Sequence, residues 1–151
     1  VTARRIVPGA VALLALAALP LVAARLRPAH ERCEMDGVAI KPLYRVRVRG
    51  ADGRAHAFCG VRCAALWIAG SGSAPADVRV TDTTTGTVID ARAAWFVETV
   101  ANRGDGAPDT IRVFARKEDA ESRVRAYGGR ILAGSERPFG AEGERDAKGN
   151  S

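Results

Sequence analysis

The sequence predicts an α+β protein made of tandem, degenerate β-β-α units with small antiparallel sheets, preceded by an N-terminal transmembrane helix. Three observations carry that expectation. Residues 6–24 run without a charge. The chain after residue 33 alternates short period-two segments with turn residues and two helical patterns. Phe58-Cys-Gly-Val-Arg-Cys-Ala64 also lies over Phe114-Ala-Arg-Lys-Glu-Asp-Ala120 with identical spacing from strand end to helix start.

The first element is the uncharged run IVPGAVALLALAALPLVAA, which as a helix reaches about 28 Å and just spans a bilayer. Arg4 and Arg5 precede it, which favours a cytoplasmic N-terminus, and Arg25 and Arg27 follow it. Residues 1–27 therefore read as a single-pass anchor that leaves the domain on the extracytoplasmic side of the cell membrane, in a periplasm-like compartment. A cleaved signal is the competing reading, because Pro20 breaks the helix ahead of the small-residue pattern Val22-Ala23-Ala24. Both readings export the domain. His30-Glu31-Arg32 before Cys33 lacks the small, apolar residues that a lipidation site needs.

The domain itself is expected over residues 33–132. Residues 44–49 (YRVRVR) form a half-buried strand, Gly50-Ala-Asp-Gly53 a turn and residues 54–58 its hairpin partner, followed by a helix over 61–69 that Gly70-Ser-Gly-Ser ends. Short strands follow at 78–82 and 87–90, with Asp82 and Asp90 bracketing a Thr-rich turn and capping it. Longer strands cover 95–100 and 111–115. A second helix covers 118–127 with Ala120, Val124 and Tyr127 on one face, stopped by Gly128-Gly129, and residues 130–132 add a last strand. Residues 133–151 are Gly-rich and charged with almost nothing apolar but Phe139, so a disordered tail is expected.

The formal charge of +6 belongs largely to the membrane segment: setting aside Arg4, Arg5, Arg25 and Arg27 leaves 19 basic against 17 acidic residues. That balance argues against nucleic acid as a partner. No serine or acid/base hydrolase arrangement is recognisable, and the Cys59-x3-Cys63 spacing differs from the Cys-x-x-Cys of thiol oxidoreductases, so an enzyme is not expected.

Three cysteines in an oxidising compartment leave at least one thiol unpaired. A Cys59–Cys63 disulfide leaves Cys33 over, a metal holds all three reduced, or the thiols are redox-active. Cys59 and Cys63 sit where a strand turns into a helix, a geometry that converges two sulfurs while helix-start N–H groups favour thiolates. Cys33 before the hairpin supplies the second half of a treble-clef-like ligand set. Met35 is the only methionine and lies two residues from Cys33, in a polar turn rather than an apolar run. Thiolate and thioether are soft donors that select Cu(I), so Cys33, Met35, Cys59 and Cys63 are the expected metal ligands, with Zn(II) in a structural staple as the alternative. His56 is expected at or near the surface, His30 lies in the linker, and Glu34 and Asp36 are expected to keep the turn solvated.

Cys33-x-Met35-x-Gly37, Phe58-Cys59, Cys63 opening a helix, Val80-x-Asp82, Gly86, Asp90-Ala91, Phe114-Ala115, Ala120 and Tyr127-Gly-Gly129 together resemble the NosL-type copper-binding accessory proteins of nitrous oxide reductase. The similarity covers about residues 33–132, and its first half is also similar to the cysteine-rich treble-clef modules of metal trafficking. The resemblance implies Cu(I) binding outside the cytoplasm, delivery to a client cuproenzyme or copper-delivery partner, and a tandem β-β-α fold shared with the mercury–carbon-cleaving lyases. Cys33, Met35 and Cys63 match the family pattern best.

Overall fold

The computed structural model describes residues 31–100 and 106–140. The expected anchor at residues 6–24, His30 and the tail beyond residue 140 lie outside the described residues. Among the described residues no helix is long and apolar enough to cross a membrane.

The described residues form seven strands and two longer helices in the order β1 (Val46–Arg49), β2 (Ala55–Phe58), α1 (Val61–Ser71), β3 (Asp77–Thr81), β4 (Val88–Asp90), β5 (Trp95–Glu98), β6 (Ile111–Phe114), α2 (Lys117–Tyr127) and β7 (Arg130–Leu132). They form two antiparallel sheets, ordered β2-β1-β3-β4 and β6-β5-β7. The α+β architecture and the internal duplication expected from the sequence are both present. The repeat is one strand longer than its sequence signal, because in each unit the chain leaves the helix and returns beside the first strand. β1 pairs with β2 and β3, with Val46 opposite both Phe58 and Val80. β5 pairs with β6 and β7, with Phe96 opposite both Val113 and Leu132.

Alternation explains the first sheet. Val46 and Val48 of β1 and Val78 and Val80 of β3 are buried, whereas Arg47, Arg49 and Arg79 are exposed on the other face. In β5 the neighbours Phe96 and Val97 are both fully buried. Successive side chains point to opposite faces, so the second sheet is covered on both sides. Phe96 joins the core beneath the first sheet, with Phe58, Val61 and Ala64, while Val97 packs with Phe114 and Ala120 near α2.

Two polar features join the halves. Thr83 donates its N–H to the Val113 carbonyl at 2.8 Å, and its hydroxyl accepts from the Val113 N–H at 3.2 Å. Asp82, fully buried, accepts from the Thr84 N–H and the Thr85 hydroxyl, so it caps the Thr-rich turn as expected. Arg112 is 1% exposed, donates to the Asp109 carbonyl at 2.6 Å and lies over the Tyr44 ring.

The disordered tail expected from residue 133 is corrected for its first part. Gly134–Glu136 and Pro138–Gly140 form 3-10 turns. Phe139 packs on the core with its ring 6.0 Å from that of Phe96, and Arg137 donates to the carbonyls of Arg92 and Ala94. A single aromatic anchor and a chelating arginine are enough to order a segment whose average composition is polar.

Candidate metal centre

The site begins with a knuckle between residues 31 and 40. Cys33 donates its N–H to the Val38 carbonyl and Gly37 donates back to the Cys33 carbonyl, both at 2.8 Å, with Ile40 donating to Glu31 below them. Gly37 closes this turn at φ +73°, a conformation that costs a side-chain-bearing residue energy. Asp36 accepts the Val38 N–H at 3.0 Å.

Glu34 fastens the knuckle to β2. Its N–H donates to the Ala57 carbonyl at 3.1 Å, one carboxylate oxygen accepts the Ala57 N–H at 3.2 Å, and the other lies 2.8 Å from Nδ1 of His56. His56 is thereby held between Glu34 and the Trp67 ring, whose centroid is 4.3 Å away. It serves the scaffold and does not join the thiol cluster. Glu34 therefore does more than solvate the turn: it brings Cys33 to the end of β2, where Cys59 sits.

The third cysteine is set by the start of α1. Gly60, the residue before the helix, has no side chain to cap it. The cap comes from far along the chain: Asp109 accepts the Arg62 N–H with one oxygen and the Ile111 N–H with the other, each at 2.9 Å. A Cβ on Gly60 would stand 2.5 Å from that carboxylate, so glycine lets the cap approach. One turn of helix then carries Cys63 back over Cys59.

The result is a compact donor cluster. The Sγ atoms of Cys59 and Cys63 are 3.7 Å apart, and Oδ2 of Asp36 is 3.6 Å from each. The three sulfurs and one Asp36 oxygen all lie within 4.8 Å of one another. Cys33 and Cys59 are buried, at 2% and 3% exposure, Cys63 is half-buried, and Asp36 faces solvent. Met35 stands on the same knuckle, 49% exposed, between Cys33 and Asp36.

All three cysteines are free thiols. Burial pushes the Cys63 thiol up to about 11 and raises that of Cys59 further, with hydrogen bonds to its neighbour thiols adding to the effect. The Val38 N–H, and then the Cys33 thiol, hold the Asp36 carboxyl below its ordinary value. Without a metal, Cys59 and Cys63 are therefore held toward the protonated form beside the Asp36 carboxylate. The expected help from helix-start N–H groups is reduced, because Asp109 already accepts the Arg62 N–H and burial acts in the opposite direction. A cation that replaces the protons restores the charge balance, so metal uptake and proton release are coupled.

Of the four ligands expected from the sequence, the fold brings Cys33, Cys59 and Cys63 together and adds Asp36, which the sequence reading did not include, while Met35 lies outside this group of donor atoms. Among the described residues the second unit holds no counterpart. At the positions of Cys59 and Cys63 it carries Ala115 and Asp119, and Asp119 is taken by Arg116 through two contacts of 3.0 and 3.1 Å.

The NosL family model matches residues 28–136. Among solved structures, the crystal structure of the copper chaperone NosL from Shewanella denitrificans is similar, with a TM-score of 0.58 and 24% identity over 67% of this chain and 84% of that one. That likeness is one of fold. No curated protein gives a match.

Proposed function

The chain belongs to the NosL family, and from that membership we propose that it is a membrane-tethered, extracytoplasmic Cu(I)-binding protein, a metallochaperone for maturation of a cuproenzyme of the nitrous oxide reductase type. The observation that carries this is the convergence of Cys33, Cys59 and Cys63, drawn from two distant stretches of sequence, into one cluster at the edge of the domain. Three thiolates are a soft donor set that suits a monovalent soft cation. The similarity to a solved copper chaperone supports the same cargo.

Cys33, Cys59 and Cys63 hold the ion, and Met35 is the thioether that meets it on the knuckle side. Cys63 and Met35 are the accessible donors, so cargo enters and leaves past them, while Cys33 and Cys59 stay buried. A site at the edge of the fold lets a partner's ligands reach the ion without unfolding the core. The uncharged run at residues 6–24 ties the domain to the outer side of the membrane, and the client receives copper there.

Anaerobic competition of the reduced full chain against a Cu(I) chelator is the test. One tight equivalent per chain is expected, and none, or two, would contradict the reading. Met35→Leu keeps size and apolarity and should cost less than about 1.5 kcal/mol of stability. It should nonetheless weaken Cu(I) binding; equal affinity would remove methionine from the ligand set. Membership of the membrane fraction, with a C-terminal reporter active only outside the cytoplasm, is the expected result for topology.

A further inference from the structure

We infer that Asp36 gives this centre a second ligand class: with Cys33, Cys59 and Cys63 it completes a tetrahedral set for a divalent, borderline-soft cation such as Zn(II), which competes with Cu(I) for the same three thiols. The inference rests on the thiol site assigned above and is independent of copper delivery.

The distances carry it. A tetrahedral Zn(II) ion with Zn–S near 2.3 Å and Zn–O near 2.0 Å requires ligand edges of about 3.8 Å between sulfurs and about 3.5 Å between sulfur and oxygen. The Cys59–Cys63 edge is 3.7 Å and both Asp36 edges are 3.6 Å. Three of the six edges thus lie close to tetrahedral values, and all four donor atoms lie within 4.8 Å of one another. A planar three-sulfur arrangement at the same bond length opens the sulfur–sulfur edge to about 4.0 Å and leaves the carboxylate with no vertex.

Charge points the same way. Three thiolates and a carboxylate around a monovalent ion leave one more uncompensated negative charge than around a divalent one, in a pocket where two of the thiols are buried. Hardness adds to this, because a carboxylate oxygen is a good donor to Zn(II) and a poor one to Cu(I). Neighbouring residues of one knuckle therefore offer alternative completions: Met35 a soft thioether for Cu(I), Asp36 a harder oxygen for the divalent ion.

Asp36 has two attachments, the turn it closes and the thiols it faces. Its Oδ1 satisfies the Asx turn by accepting the Val38 N–H at 3.0 Å and lies 3.9 Å from Sγ of Cys59, while its Oδ2 stands 3.6 Å from the sulfurs of both Cys59 and Cys63. Asn at this position keeps an acceptor for Val38 and removes the anionic ligand, so Asp36→Asn is a suitable variant.

The experiment titrates reduced, full-length wild type and Asp36→Asn with Co(II) under anaerobic conditions, reading thiolate charge-transfer and tetrahedral d–d bands. Co(II) is then displaced with Zn(II), and Cu(I) affinity is measured in parallel by chelator competition. The wild type should give tetrahedral Co(II) bands at one equivalent. Asp36→Asn should lose about 100-fold in Zn(II) affinity and show altered d–d bands, while Cu(I) affinity stays within about threefold. Retained Cu(I) affinity also shows that the variant folds. Unchanged Zn(II) affinity and Co(II) bands in Asp36→Asn would overturn the inference, as would an equal loss for both metals. Asp36-dependent Co(II) and Zn(II) binding without any Cu(I) binding would sink the copper reading and leave this one standing.

Discussion

The two ββαβ units share the order and pairing of three strands and an 11-residue helix, with β4 added to the first sheet, yet among the described residues only the first carries the donor cluster. In the first, the strand end and helix start hold Cys59, Gly60 and Cys63, and a knuckle precedes β1. In the second, the same places hold Ala115, Arg116 and Asp119, and what precedes β5 is the 3-10 turn Ala91–Ala93. The second sheet is buried on both faces, while the first leaves one face to solvent. One copy of the fold has become packing for the molecule and the other has kept an edge where a ligand can be reached. The lesson is that a helix start alone does not make the site; it needs the knuckle that Glu34 fastens to β2.

The largest expected effect separates these roles at equivalent positions. Phe58 and Phe114 each close the second strand of their unit and are buried, so truncation of either to alanine should cost about 3–5 kcal/mol of stability. Only Phe58→Ala, which loosens the strand end before Cys59, should also weaken metal binding. Chemical denaturation together with metal titration of whichever fraction folds checks this, and equal metal affinity in both variants would break the distinction.

A second difference lies in pH. Burial raises Cys63 from an ordinary 9.0 to about 11. A folded-state value above the unfolded one gives stability that is full below pH 9 and is lost as pH rises through about 11. The metal-free protein should therefore melt at progressively lower temperature across that window, and the metal-loaded protein, whose thiols are already deprotonated, should not. The corresponding residue of the other unit, Asp119, is half-buried and held below its ordinary value by the exposed Arg116 guanidinium, so its contribution, lost as pH falls through the lowered value, is screened and small. Thermal unfolding scans across pH read both ends.

The smallest expected effect is a null result. The double change Ala115→Cys and Asp119→Cys recreates the helix-start pair in the second unit without a knuckle thiol or a carboxylate. It should add no second tight Cu(I) equivalent. A stoichiometry of two would show that the pair suffices and the knuckle does not matter.

Much of this was legible in the sequence because it is local. Period-two alternation marked β1, and the repeated spacing from Phe58 to Ala64 and from Phe114 to Ala120 marked the duplication. The three cysteines announced the donor set because their chemistry is distinctive. What was not legible is long-range or directional. Asp109 caps α1 from 47 residues away, and nothing near Gly60 signals it. Asp36 reads as an ordinary turn residue, since only the folded knuckle aims its second oxygen at Cys59 and Cys63. Phe139 and Arg137 sit in a stretch too polar on average to suggest order, and only their docking against Phe96 and the Arg92 and Ala94 carbonyls creates it.

The central claim is that the knuckle and the helix start act as one soft site. The most direct measurement is Cu(I) affinity by chelator competition for the wild type, Cys33→Ser and Cys63→Ser, each full-length, reduced and anaerobic. Each substitution removes a thiolate outright and should weaken Cu(I) by about 100-fold or more, although Cys33 lies in the knuckle and Cys63 in α1. If Cys33→Ser bound Cu(I) as tightly as wild type while Cys63→Ser lost it, the knuckle would be no part of the site and the account would be wrong.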